Sequence, residues 1–185
     1  MKRLLSILCA FCWVPAAFAA DAQPRPAETQ RILDEMRVGV LLHDPWSPER
    51  GSADISFQTY FARPAFRAEI PAALLPRPFF GLAANVSGRT SHVHAGLAWT
   101  FDLTDRLFVE AGLAGALPDG RFGPVAADNR NAMGCAFHFR ESAGIGFRFD
   151  RNWSVIATVE HLSNGGLCNR NRGLTNLGVQ LGYRF

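Results

Sequence analysis

His161 and Ser163 stand two residues apart near the end of the segment Trp153 to Ser163 in this 185-residue chain. If that segment is a strand, Trp153, Val155, Ala157, Val159, His161 and Ser163 share one face by parity. Side chains so spaced lie on the same side, and the imidazole can take the hydroxyl proton when the rotamers bring the two together. This is the minimal arrangement for a serine acyl hydrolase. The rest of the row is apolar, and a polar pair facing hydrocarbon is costly unless it is bonded or sits at the interface. The spacing alone is weak, because His-x-Ser recurs by chance; the placement is what asks for a functional explanation.

The elements that must position this pair are short alternating segments separated by turn-rich breaks. Eight are counted: Arg37 to His43, Ala53 to Ala62, Phe79 to Ser87, His92 to Phe101, Arg106 to Leu117, Cys135 to Phe149, Trp153 to Ser163 and Leu174 to Phe185. The alternation has period two, so successive side chains take opposite faces. In the fourth segment Val93, Ala95, Leu97, Trp99 and Phe101 oppose His92, His94, Gly96, Ala98 and Thr100. The sixth sets Phe137, Phe139, Ala143, Ile145, Phe147 and Phe149 against His138, Arg140, Ser142, Gly144, Gly146 and Arg148. Arginine does not belong in an ordinary soluble core unless paired. It suits the lumen of a small barrel whose apolar face meets lipid. A soluble β-sandwich also uses short alternating strands. Against it stand the even strand count, the short turns Asp102 to Asp105 and Asp150 to Asn152, and the ending Gly182-Tyr183-Arg184-Phe185, which resembles the assembly signal of outer-membrane barrels. The expected fold is therefore all-β: an eight-stranded antiparallel transmembrane up-and-down barrel over residues 36–185.

Ahead of it, Lys2 and Arg3, the apolar run Leu4 to Val14 and the small-residue site Ala17-Phe18-Ala19 read as an export signal over 1–19, followed by a short periplasmic segment over 20–35. The apolar run is shorter than the roughly 20 residues a spanning helix needs. Of 19 basic residues the signal takes two, leaving 17 against 16 acidic ones. A charge of +1, on scattered arginines, indicates no nucleic-acid partner. With the N-terminus in the periplasm, the joins Asp44 to Ser52, Gly88 to Ser91, Pro118 to Gly134 and Asn164 to Gly173 face outward. The join Arg63 to Pro78 is long for a periplasmic turn, and its prolines and Leu74-Leu75 are expected to pack beneath the barrel.

The segment Glu160-His161-Leu162-Ser163-Asn164-Gly165-Gly166-Leu167, then Asn171-Arg172-Gly173-Leu174 and Asn176-Leu177-Gly178, resembles the C-terminal signature of the lipid A 3-O-deacylase (PagL) family. Gly39 to Asp44, Ala95 to Thr100 and Phe139 to Gly146 agree with it. The resemblance implies an eight-stranded outer-membrane barrel that removes the ester-linked acyl chain at the 3-position of lipid A. It makes His161 the general base, Ser163 the nucleophile, and Asn164 with the backbone around Gly165 and Gly166 the oxyanion donors. It implies no cofactor. Lipopolysaccharide and the outer membrane are the implied partners, with a second copy of the chain as a further one.

The chain departs from the family at one position: the acid that orients the histidine falls where this sequence has Thr175, which cannot stabilise an imidazolium by charge. Pairing the sixth and seventh segments across Asp150 to Asn152, with Phe149 opposite Trp153, places Glu141 opposite His161 on the lipid-facing parity. Glu141 is thus the expected substitute acid, its alternative role being an interfacial ion pair with a neighbouring arginine. The same register puts Cys135 opposite Leu167, one step from Cys168. In an oxidising compartment a disulfide is expected there, two free thiols being the alternative if geometry denies reach. No Cys and His set has the spacing of a closed zinc site, and His92, His94 and His138 read as lumenal polar residues. A non-catalytic barrel of the same scaffold is the reading that Thr175 favours. A solute channel is disfavoured because side chains fill eight-stranded barrels.

Overall fold

The computed structural model describes residues 32–63, 71, 74–120, 122 and 129–185. The expected export signal and most of the expected periplasmic segment lie outside the described residues. Eight strands follow one another: β1 (Leu33–His43), β2 (Ser52–Phe61), β3 (Arg77–Asn85), β4 (His92–Asp102), β5 (Leu107–Pro118), β6 (His138–Arg148), β7 (Trp153–Ser163) and β8 (Leu174–Arg184). Each pairs antiparallel with the next, and β8 returns to β1 to close the barrel. Closure leaves no strand edge, the condition under which a sheet can cross hydrocarbon with every backbone group bonded.

Three strand starts differ by two residues or more from the alternation pattern, each for a local reason. β1 begins at Leu33, not Arg37, because Glu35 and Arg37 both point inward and bond to each other, Nε to Oε1 at 2.6 Å. β3 begins at Arg77, whose side chain is buried in the lumen. Pro78 follows it, pairing with Leu97 of β4, while the ladder to β2 starts only at Phe79, so the missing N–H leaves no gap there. β6 begins at His138 because the chain from Cys135 leaves the ladder to meet Cys168. Leu74 does not pack beneath the barrel: it is 57% exposed, and its carbonyl accepts a hydrogen bond from Nε1 of outward-facing Trp99.

The outer wall is apolar and the lumen carries charge in two paired clusters. At the end where β1 starts, the Arg37 guanidinium grips Glu110 with two bonds of 2.7 and 2.9 Å, and Arg77 bonds Glu35 at 2.6 Å and Glu110 at 3.0 Å. Both guanidinium groups approach the Tyr60 ring, 4.2 and 4.6 Å from its centre, Phe79 stacks on that ring, and the Tyr60 hydroxyl donates to Gln58. Unpaired, such charges would be prohibitive at this depth; paired, they hold four strands together. Nearer the other end, Arg140 of β6 bonds Glu160 of β7, which accepts from Asn176 of β8, whose amide also reaches Asp54 of β2. His43 sits between Asp54 and Glu49, 2.9 Å from each.

Above this cluster lie the loops L1 (44–51), L3 (86–91), L5 (119–137) and L7 (164–173), whose described residues bond to one another over the barrel mouth. The Glu49 carboxylate accepts the Thr90 N–H, the Thr90 hydroxyl and the Asn131 N–H, joining L1, L3 and L5 at one side chain. Burial alone would raise its carboxyl; hydrogen bonds from His43, Asn131 and Thr90 outweigh that and hold it down at about 2. Cys135 of L5 and Cys168 of L7 form a disulfide.

Candidate active site

The parity of β7 is realised. Ser154, Ile156, Glu160 and Leu162 are buried within the barrel, while Trp153, Ala157, Val159 and His161 are exposed on the outer wall and Ser163 is half-buried at its upper edge. His161 faces Glu141 of β6 on one side and Thr175 of β8 on the other. Three consecutive strands therefore contribute to one outward row, fixed by ladder register and not by loop conformation.

Within that row the contacts are unequal. His161 Nδ1 and Thr175 Oγ1 lie 2.8 Å apart, a full hydrogen bond. Glu141 occupies the expected opposite position and is exposed, but among the described residues it makes no hydrogen bond to the ring. Asn176, the next residue after Thr175, points inward and belongs to the Glu160 cluster. The other edge of the imidazole packs on Gly173, a residue the sequence reading did not single out. A Cβ there would stand 3.0 Å from His161 Cε1 and 3.3 Å from Nε2, and the glycine has φ 72°, so no other residue suits both the space and the backbone.

Ser163 pairs with Phe139 across the β6–β7 ladder, and its hydroxyl has no protein partner among the described residues. Along a strand, positions two apart are separated by about 6.6 Å of backbone, a gap that the serine and histidine side chains together can bridge. Leu113 lies opposite Glu141, and Leu117, Phe137 and Phe139 are exposed nearby on the same wall, an apolar surface beside Ser163.

The three expected oxyanion donors differ in their freedom. The Asn164 side chain is wholly buried and knits L7 to L5: its amide donates to the carbonyls of Met133 and Arg170, at 3.0 and 2.5 Å, and its Oδ1 accepts from Gly166 N. Both of its amide hydrogens and the Gly166 N–H are thereby bonded within the loops. The Gly165 N–H has no partner among the described residues, and its φ of 62° turns the chain at the point where β7 ends. The disulfide between Cys135 and Cys168 ties this loop to L5, with Cα atoms 6.1 Å apart. His92, His94 and His138 are all buried in the lumen, and among the described residues no group of His, Cys, Asp and Glu is arranged to hold a metal ion.

With this geometry in place, the comparisons are specific. Residues 35–184 match a family described as lipid A 3-O-deacylase (PagL). The crystal structure of the outer membrane enzyme PagL aligns with a TM-score of 0.61 at 16% identity, covering 80% of this chain and 97% of that one. A de novo designed transmembrane β-barrel aligns at 0.53 and 12% identity, covering 84% and 97%. At such identities the two structures attest the fold alone. No curated protein sequence matches the chain.

Proposed function

We propose, starting from the fact that this chain belongs to the lipid A 3-O-deacylase (PagL) family, that it hydrolyses the 3-position acyl ester of lipid A in the outer leaflet, with Ser163 as nucleophile and His161 as base. The observation that carries the proposal is the outward imidazole whose Nδ1 is bonded to Thr175 Oγ1. With Nδ1–H donating to that oxygen, Nε2 carries the free lone pair and takes the proton of Ser163 Oγ as the oxygen attacks the ester carbonyl. The tetrahedral oxyanion accepts from the Gly165 N–H; one such fixed donor is worth about 3–4 kcal/mol in the transition state. Nε2–H then protonates the departing sugar oxygen, leaving the acyl chain on Ser163. A water, deprotonated by the same nitrogen, releases the fatty acid and restores the serine.

Thr175 sets the tautomer but brings no charge. We assign the compensating charge to Glu141, the residue opposite His161 in the β6–β7 ladder and on the same outward face. Substrate needs no pocket: lipid A diffuses laterally, and its acyl chain lies on Phe139 and Leu113 while the ester meets the rim. The test is mass spectrometry of lipid A from Gram-negative cells expressing the chain, with loss of one ester-linked acyl chain expected. Unchanged acylation despite a folded barrel would instead support a non-catalytic, lipid-binding barrel, the reading that Thr175 favours.

A further inference from the structure

We infer that Asp44, the first residue of L1, is a positioning residue for His161, acting from the neighbouring strand β1 through both residues that flank the imidazole. The inference rests on the reading of His161 as the base.

Among the described residues Asp44 is the one non-glycine with positive φ, at 33°. That region is uncommon for L-residues, and aspartate tolerates it best where its side chain is bonded. Here the bonds are long-range. Asp44 is buried, its N–H donates to Asn176 Oδ1 at 3.1 Å, and its two carboxylate oxygens serve different partners. Oδ1 accepts the Thr175 N–H at 3.0 Å; Oδ2 accepts Asn131 Nδ2 at 2.6 Å, and that same amide also donates to the Gly173 carbonyl at 3.2 Å.

The β1–β8 ladder explains why this is needed. Its last pair at this end is Leu42 with Leu177, so Thr175 has a strand neighbour in β7 but none in β1. The Asp44 carboxylate takes the place of the missing strand. It fixes Thr175 directly and Gly173 through Asn131, and these are the residue that bonds His161 Nδ1 and the residue against which the ring packs. Glycine or asparagine would meet the demand of the φ angle. Only a carboxylate offers two acceptors to two donors, one in β8 and one in L5; asparagine would set one amide against another at Asn131. A strained residue held by partners that converge on one side chain is a sign of function and not of turn-making alone.

The test uses the purified, refolded full barrel, with nitrogen-isotope NMR of labelled histidine to read the His161 tautomer and steady-state kinetics on lipopolysaccharide. The wild type is expected to show His161 as a single Nδ1–H tautomer. Asp44→Gly keeps the turn and removes both oxygens: tautomer averaging is expected, with kcat down about tenfold and KM within about twofold, as for lost outer-shell partners. Asp44→Asn keeps one acceptor and should fall between, near threefold. A folded Asp44→Gly barrel, recognised by its heat-modifiable gel mobility, that keeps both the wild-type tautomer and the wild-type kcat overturns the inference, whatever its stability. If Asp44→Gly does not fold, Asp44→Asn is judged by the same two measurements. The tautomer reading needs no turnover. A wild type without deacylase activity therefore sinks the functional proposal while the role of Asp44 is still decided.

Discussion

The inward and outward rows of β6, β7 and β8 lie one residue apart in register and are built on opposite principles. Inward, Glu160 has both oxygens satisfied: Arg140 bonds one through two nitrogens at 2.9 and 2.6 Å, and Asn176 bonds the other at 3.0 Å. Outward, in the next register pair, His161 has one hydrogen bond, and Glu141 and Ser163 have none among the described residues. The same three strands thus supply a saturated cluster and an unsaturated one. Saturation makes the first rigid and inert, whereas open valences make the second capable of chemistry, because a group already fully bonded has nothing left to offer a reacting atom.

This contrast can be broken from either side. Ser163→Ala should abolish deacylation, by at least about a thousandfold, while leaving barrel stability unchanged, as measured by turnover and by urea unfolding of the same sample. Glu160→Ala, one face away, should do the reverse. Leaving the Arg140 charge buried and unpaired costs about 3–5 kcal/mol, visible in the urea midpoint, and residual folded protein should retain its specific activity. If Glu160→Ala silenced folded protein as thoroughly as Ser163→Ala, the two rows would not be separable.

Two substitutions sharpen the outward row. Thr175→Glu brings a carboxylate to His161 Nδ1 and should raise kcat by about tenfold. In the natural chain Glu141→Gln should lower kcat by less than that, and in the Thr175→Glu background it should be silent, because the imidazolium already has its counter-charge. A Glu141→Gln effect of equal size in both backgrounds would assign Glu141 a role other than orienting the ring.

How much of this was legible follows from what periodicity can carry. Alternation separated the faces of β4 and β6 correctly, and one tight turn at Asp150 to Asn152 was enough to pair Glu141 with His161, since register propagates along a ladder without further information; Cys135 and Cys168 meet past the ladder's last pair, Phe139 with Ser163, where the same count brought them near but loop conformation joins them. What failed to propagate was loop chemistry. Asp44 meets Thr175 across 131 residues and Asn131 across 87, through side-chain bonds that leave no period. The burial of Asn164 was hidden likewise, because its partners are backbone carbonyls and a carbonyl has no residue identity to read. Gly173 lay within the quoted motif, and its type was the available signal.

The smallest expected effect lies in the cap. The Glu49 carboxyl is held at about 2, below its ordinary 4.5, so its contribution to stability is complete above about pH 4.5 and is lost as the pH falls toward 2. The urea midpoint of the natural chain should exceed that of Glu49→Gln at neutral pH, and the two should converge over that interval. Curves that stay parallel down to pH 2 would remove Glu49 from the account of how the loops are held over the mouth.

Tyr60, stacked on Phe79 and in contact with both Arg37 and Arg77 inside the barrel, bears on permeability. Among the described residues, a small solute on the axis meets paired charges and stacked rings. Side chains that fill so narrow a bore make the barrel's own packing, and not a separate plug, the barrier between its two ends.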